Sequence, residues 1–437
     1  MNACLAVHHA AAVEDHRVDR RTGARHGRWA RFLPSWLLLS TLVHLCAGCS
    51  PATSLPSEAQ QAEASNVRIG FTSIESRSAA GSEYVTNREV DGFPVAIIDS
   101  HPAIRVLRGD FEPPDTLVLV YEEEWLDALA QMVEATRGQA KVVLLTTPEQ
   151  RWAKPLVRFA AQPHVKVLSS RLDSPWVRDY GPLQTYEVEV GPLWLDFGYA
   201  PDRPLDDKVP ASLSTLLNAR LEAPSLPLDG GAVISNGGGL CAISRTNLID
   251  AGLNDPASEA IETFLAGLGC RATAILPTIP EESTGHADVV AQFLSPTLAM
   301  VAWLDPADNA DISDALDRSA EHLASAAALG DFPLQIMRIP IATSGETFYS
   351  YVNATRLRSR LLVPRFNNVR EEIEQSAYAT LEAALPVVEL VPIDADTMVQ
   401  LGGAVHCVTL GLGPSAPEMG SPLRRAAPRH RPRRRRG

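Results

Sequence analysis

Four stretches of this chain set chemically capable side chains beside glycine: 174–182 (SPWVRDYGP), 228–239 (LDGGAVISNGGG), 283–293 (STGHADVVAQF) and 402–408 (GGAVHCV). Glycine at a strand edge lets other backbone approach closely, which core packing does not demand. Convergence of the four on one site is the working expectation. Cys407 is a candidate nucleophile that needs a base, and the chain offers His286 and His406. Residues two apart in an extended strand share a face, so His286 and Asp288 should point together while His406 and Cys407 point apart. That favours His286. A buried structural thiol is nevertheless the commoner fate of a lone cysteine in an apolar run. Asp179 follows Trp176 by three residues, where an Arg178–Asp pair beside an aromatic plug is the bland account. No second cluster with ligand spacing accompanies His286-x-Asp288, so no metal is expected. The glycines at 237–239 lack the strand–GxxxxGK–helix context of a phosphate loop.

The elements that must position these residues alternate from about 93 to 410. Strands are expected at 116–121, 141–146, 165–169, 231–235, 240–244, 271–276, 286–294, 298–303, 334–341, 348–353, 360–363, 386–392 and 404–409. Helices are expected at 122–136, 208–220, 256–268, 312–329 and 369–384. The pattern amounts to about five ββαβ-like units in one α/β domain, helices outside and strands inside.

The chain has 437 residues, 45% hydrophobic and 21% charged, which excludes a disordered or fibrous protein. Its net charge is −13, yet eight arginines fall in the last fourteen residues and six more in the first 48, leaving 25 basic against 49 acidic residues over 49–419. Such a body should draw cations and repel nucleic acid and anionic substrates. Arg28 and Arg31 precede an apolar run at 36–47, too short to span a bilayer and suited to a signal peptide. It ends in Cys46-Ala47-Gly48-Cys49, which resembles a bacterial lipobox with Cys46 where Leu or Val is usual. The organisation expected is a signal peptide with an N-terminal extension (1–48), a lipoprotein tether and lead-in from a lipidated Cys49 (49–92), the catalytic domain (93–411) and a disordered Arg-rich tail (412–437). The protein should then be exported and membrane-anchored, in the periplasm or at the cell surface. Cys241, Cys270 and Cys407 remain after processing, and an odd count leaves one thiol free. Cys241 and Cys270 could pair or lie buried separately.

In order and separation the four stretches resemble the motifs of the agmatine deiminase and bacterial (Porphyromonas-type) peptidylarginine deiminase family. These are W-x-R-D-x-G-P at 176–182, an acidic residue before Gly-Gly at 229–231, G-H-x-D at 285–288 and G-G-x-x-H-C at 402–407, with Y-x-N at 351–353 and an apolar strand ending at Pro364. The resemblance implies a pentein, five ββαβ units around a pseudo-fivefold axis with the site in the central channel, and no metal or other cofactor. It implies hydrolysis of a guanidine to a ureido group and ammonia through a Cys407 thiouronium. His286 would carry protons, Asp179 and Asp288 would grip the guanidinium, and Trp176, Arg178 and Asp229 would complete the substrate site. Residues 196–207 resemble the peptidylarginine version, in which two arginines two apart clamp a C-terminal carboxylate. Arg203 matches the second, and Pro201 occupies the first. The substrate implied is arginine in a peptide or protein, with agmatine as the alternative; an inactive binding lipoprotein is the alternative of another class.

Overall fold

The strand Thr116–Val120, sequence TLVLV, is buried at every position, as expected of a strand covered on both faces. It pairs antiparallel with Thr409–Leu412 and parallel with Lys141–Thr146. A parallel link needs a crossover, and helix Leu126–Ala135 supplies it, burying Ala128, Leu129, Met132 and Val133. The computed structural model describes residues 88–90, 93–97, 105–187, 190–255 and 258–413. All belong to the second of two compact units, Ser73–Gly437. The leader, Cys49, the tether and most of the Arg-rich tail lie outside the described residues.

The same sequence of antiparallel pair, crossover helix and parallel strand recurs four more times among the described residues. Leu183–Glu187 and Gly191–Leu195 are followed by helix Val209–Leu217 and strand Leu221–Glu222. Val233–Ser235 and Leu240–Ser244 lead through helices Arg245–Asp250 and Glu259–Leu268 to Ala272–Leu276. Ala291–Ser295 and Leu298–Trp303 lead through helix Ala310–Leu329 to Gln335–Pro340. Thr355–Arg356 and Arg360–Arg365 lead through helix Glu371–Ala384 to Glu389–Asp394. The molecule is thus mixed α/β, and its first unit borrows an antiparallel strand from the far end of the described chain. Local chemistry sets several helix ends: the side chains of Ser258 and Asn309 accept from the N–H groups of Ile261 and Ile312, as capping residues do.

Cys241 and Cys270 form a disulfide, and Cys407 is the free cysteine among the described residues. The expected strands 231–235 and 348–353 extend only over Val233–Ser235 and Thr347–Tyr349, which leaves Gly231 and Asn353 in turns. Two more expected strands are corrected at positions that bear chemistry. Residues 286–294 begin as a single helical turn, Ala287–Val290, and extend only from Ala291. The expected strand 404–409 is a turn until Thr409. Gly285 at φ +65° bends the chain ahead of the first, and Gly402 at φ +93° ahead of the second; non-glycine residues seldom adopt such angles.

Candidate active site

Asp179 stands on the helical turn Val177–Tyr180. Val177 and Tyr180 are buried in an apolar cluster with Val118, Trp194 and Leu410, which fixes the turn against the first unit. The tight turn Gly230–Ala232 lies against it, and the Gly231 N–H donates to Asp179 Oδ1 at 3.3 Å. A Cβ at Gly231 would fall 2.7 Å from Asp179 Oδ1, 2.8 Å from His286 Nδ1 and 3.2 Å from Asp288 Oδ2. Three polar side chains from two stretches therefore converge above a glycine of a third, where any larger residue would occupy the space they share. Because 286–288 is a turn, the strand argument for His286 and Asp288 does not hold. Their shared direction comes from the turn.

His286 lies between two carboxylates, with Nε2 3.1 Å from Asp229 Oδ2 and Nδ1 3.5 Å from Asp179 Oδ1. Burial disfavours its charge, but Asp179, the hydrogen bond to Asp229 and the charge of Asp288 outweigh that and raise its pKa to about 10. Burial raises Asp179 to about 7, with Asp288 and Asp229 adding to the shift and His286 opposing it. The loop before His286 is held by Glu282, whose carboxylate accepts from the N–H groups of Thr284 and Gly285 at 3.0 and 2.6 Å.

Cys407 is buried. Burial first, then the charges of Asp288 and Asp179, hold its thiol well above the usual cysteine range. Asn353 ties the thiol to the rest of the site. Its Nδ2 lies 3.3 Å from Cys407 Sγ and 3.4 Å from the Asp288 carbonyl, and its Oδ1 accepts from the His406 N–H at 3.0 Å. Across Gly403, where a Cβ would lie 2.5 Å from the Trp176 ring and 3.1 Å from Cys407 Cβ, the half-buried Trp176 meets the thiol-bearing turn.

Of the residues expected from sequence, Cys407, His286, Asp179, Asp288, Asp229 and Trp176 are brought together. Arg178 turns elsewhere, its guanidinium 2.9 Å from Asp110. Arg203 is half-buried and donates to the Tyr199 hydroxyl at 2.8 Å. Tyr199 packs edge-on against Tyr180, the chain neighbour of Asp179, with ring centroids 5.8 Å apart, so Arg203 borders the site. Sequence reasoning passed over three participants. Asn353 was visible only inside Y-x-N, His406 was set aside as a base, and Asp110 carries no local signal. Buried carboxylates gathered about one thiol are groups that can hold a planar cation and attack it.

Residues 114–412 match the family model described as Porphyromonas-type peptidyl-arginine deiminase. A protein of Selenomonas ruminantium named "Putative agmatine deiminase" is 27% identical over 340 residues, covering 68% of this chain and 86% of that one. A protein of the same name from Streptomyces avermitilis is 26% identical over 322 residues, covering 68% and 89%. Among solved structures, the agmatine deiminase of Enterococcus faecalis has a TM-score of 0.62 at 19% identity, covering 71% of this chain and 96% of that one. At that identity the likeness concerns the fold alone.

Proposed function

Since the chain belongs to the Porphyromonas-type peptidyl-arginine deiminase family, whose members are hydrolases of amidine carbon–nitrogen bonds, we propose that it deiminates a guanidine through a covalent Cys407 adduct. The observation that carries this reading is the convergence of Asp179, His286 and Asp288 around Gly231 beside a free thiol. A guanidinium presents paired N–H donors in one plane, and two carboxylates accept them in a fork. Its single positive charge offsets one of the two negative charges that, after burial, hold the Cys407 thiol protonated, so substrate entry itself lowers the cost of forming thiolate. The thiol proton passes to solvent, the thiolate attacks the guanidine carbon, and protonated His286 gives its own proton to the departing nitrogen, which leaves as ammonia. Neutral His286 then takes a proton from water, which adds to the thiouronium carbon and expels the thiolate. The products are a ureido group and ammonia.

The substrate we favour is arginine in a peptide or protein, supported by the position of Arg203 beside Tyr199 at the edge of the site; agmatine is the alternative. The Cys241–Cys270 disulfide supports export, because such bonds persist in oxidising compartments. Export through the leader and acylation at Cys49 belong to the same proposal, as do the boundaries 49–92, 93–411 and 412–437, and a mature N-terminus away from Cys49 would remove the anchor from it. The five repeated strand and helix groups support their arrangement about a pseudo-fivefold axis. Parallel assays of ureido product from a peptide, free arginine and agmatine, with Arg203→Ala beside the native chain, decide the substrate. Loss confined to carboxylate-bearing substrates supports the peptide reading, preference for agmatine overturns it, and no product from any of the three returns the chain to a binding role.

A further inference from the structure

A buried carboxylate that must grip a cation has two requirements: a fixed direction, and a partner that keeps it from swinging toward other donors while the site is empty. Asp288 is fully buried. Its Oδ2 lies 2.6 Å from His406 Nδ1, and its Oδ1 has no hydrogen-bond partner. His406, itself buried, is held at its backbone, since its N–H donates to Asn353 Oδ1. On the other side of the ring, Nε2 lies 3.7 Å from Asp110 Oδ2, and Arg178 donates to Asp110 Oδ1 at 2.9 Å. Burial works against the charge of Asp110, but Arg178 and His406 outweigh it and hold its pKa below the usual carboxylate value. The Arg178 N–H donates to the Cys407 carbonyl at 3.1 Å. The chain of contacts therefore closes on itself. Arg178 adjoins Asp179, His406 adjoins Cys407, and the two carboxylates and the thiol are joined through one buried circuit.

We propose that His406 is a positioning residue for Asp288, fixed from behind by Asp110 and Arg178, so that the guanidine plane is set relative to the Cys407 thiol. This rests on the deiminase reading above. His406 does not act on the thiol, because its Nδ1 is engaged by Asp288 and its Nε2 faces Asp110. Arg178 likewise serves the circuit, which is why its guanidinium points to Asp110.

The test compares two alkylating agents of Cys407 on the full chain: a chloroacetamidine, which is a planar cation, and neutral iodoacetamide. The ratio of their rates reads how well the carboxylates hold a cation beside the thiol, and general changes of thiol access or folding cancel in it. His406→Gln, which cannot reproduce the Nδ1 donor, should lower the cationic-to-neutral ratio by about tenfold or more, as expected when an anchoring group is misplaced by an ångström or less. His406→Asn, whose amide nitrogen stands where Nδ1 stood, should keep the ratio within about threefold. Asp110→Asn, at a side chain one-quarter exposed, should lower it in the same direction and serves if His406→Gln does not fold. An unchanged ratio in His406→Gln and Asp110→Asn overturns the proposal. So does a loss in His406→Asn as large as in His406→Gln, which would mean that ring volume and not the bond matters. A native chain with no preference for the cationic reagent would instead sink the deiminase reading, and this proposal with it.

Discussion

At the scale of single residues, the thiol and the carboxylates depend on one another. Replacing Cys407 by Ala removes the nucleophile and leaves Asp179 and Asp288 to bind, so turnover should fall by about 10³-fold or more, while a guanidine ligand still binds by calorimetry. Residual turnover above that level would move the nucleophile elsewhere. The pH dependence follows from the two shifted groups. Asp179 offers the cation a negative charge and two acceptor oxygens only when ionised, so kcat/KM should rise through about pH 7, and His286 gives up its proton at about pH 10, so it should fall there. Asp229→Asn removes a negative charge that raises both values and should therefore move both limbs to lower pH. A profile in which either limb moves upward would contradict the role given to Asp229. Much of this was readable beforehand, because a thiol, a histidine and two acids beside glycine are unusual as core. The circuit through Asp110 was not, since it depends on residues 68 and 296 positions away from their partners meeting in space.

At the scale of elements, the site is built where regular structure stops. Periodicity located Lys141–Thr146, Val165–Ser169, Leu240–Ser244 and Leu298–Trp303 to the residue. It misread 286–290 and 404–408 as strand, because short apolar runs look alike in an extended chain and in a buried turn. It also missed Leu183–Glu187, LQTYE, whose mixed polar and apolar composition follows a half-buried face, and Gly191–Leu195, GPLWL, whose Gly-Pro start reads as a turn. The turns matter more than the strands for function, and Gly231 shows why. Gly231→Ala places a methyl among Asp179, His286 and Asp288. It should cut kcat/KM by about 10²-fold or more, and overpacking should cost about 1–3 kcal/mol of stability by denaturant titration. Activity within a few fold of native would mean that the three side chains do not share one small volume in solution.

At the scale of the whole molecule, charge distribution should govern how substrate arrives. Over 49–419 the chain carries 49 acidic residues against 25 basic ones, and the site is itself acidic. A field of that sign concentrates cations at the mouth and is screened within about 8–10 Å at moderate salt. If diffusion into the cleft contributes to kcat/KM, raising ionic strength from about 0.01 to 0.5 M should lower it several-fold. The loss should be steeper for agmatine, which carries two positive charges, than for an arginyl peptide blocked at both ends, which carries one. The ranking separates long-range attraction from specific binding, because loss of a local contact would not scale with total substrate charge. Neutral iodoacetamide supplies the reference: its rate with Cys407 should hardly vary with salt at fixed pH, apart from the small effect of screening on the thiol. A flat profile for both cations would place the acidic excess away from the site's entrance. An opposite slope would mean that the eight arginines in the last fourteen residues, which removal of the leader leaves in place, dominate the field that an approaching substrate meets.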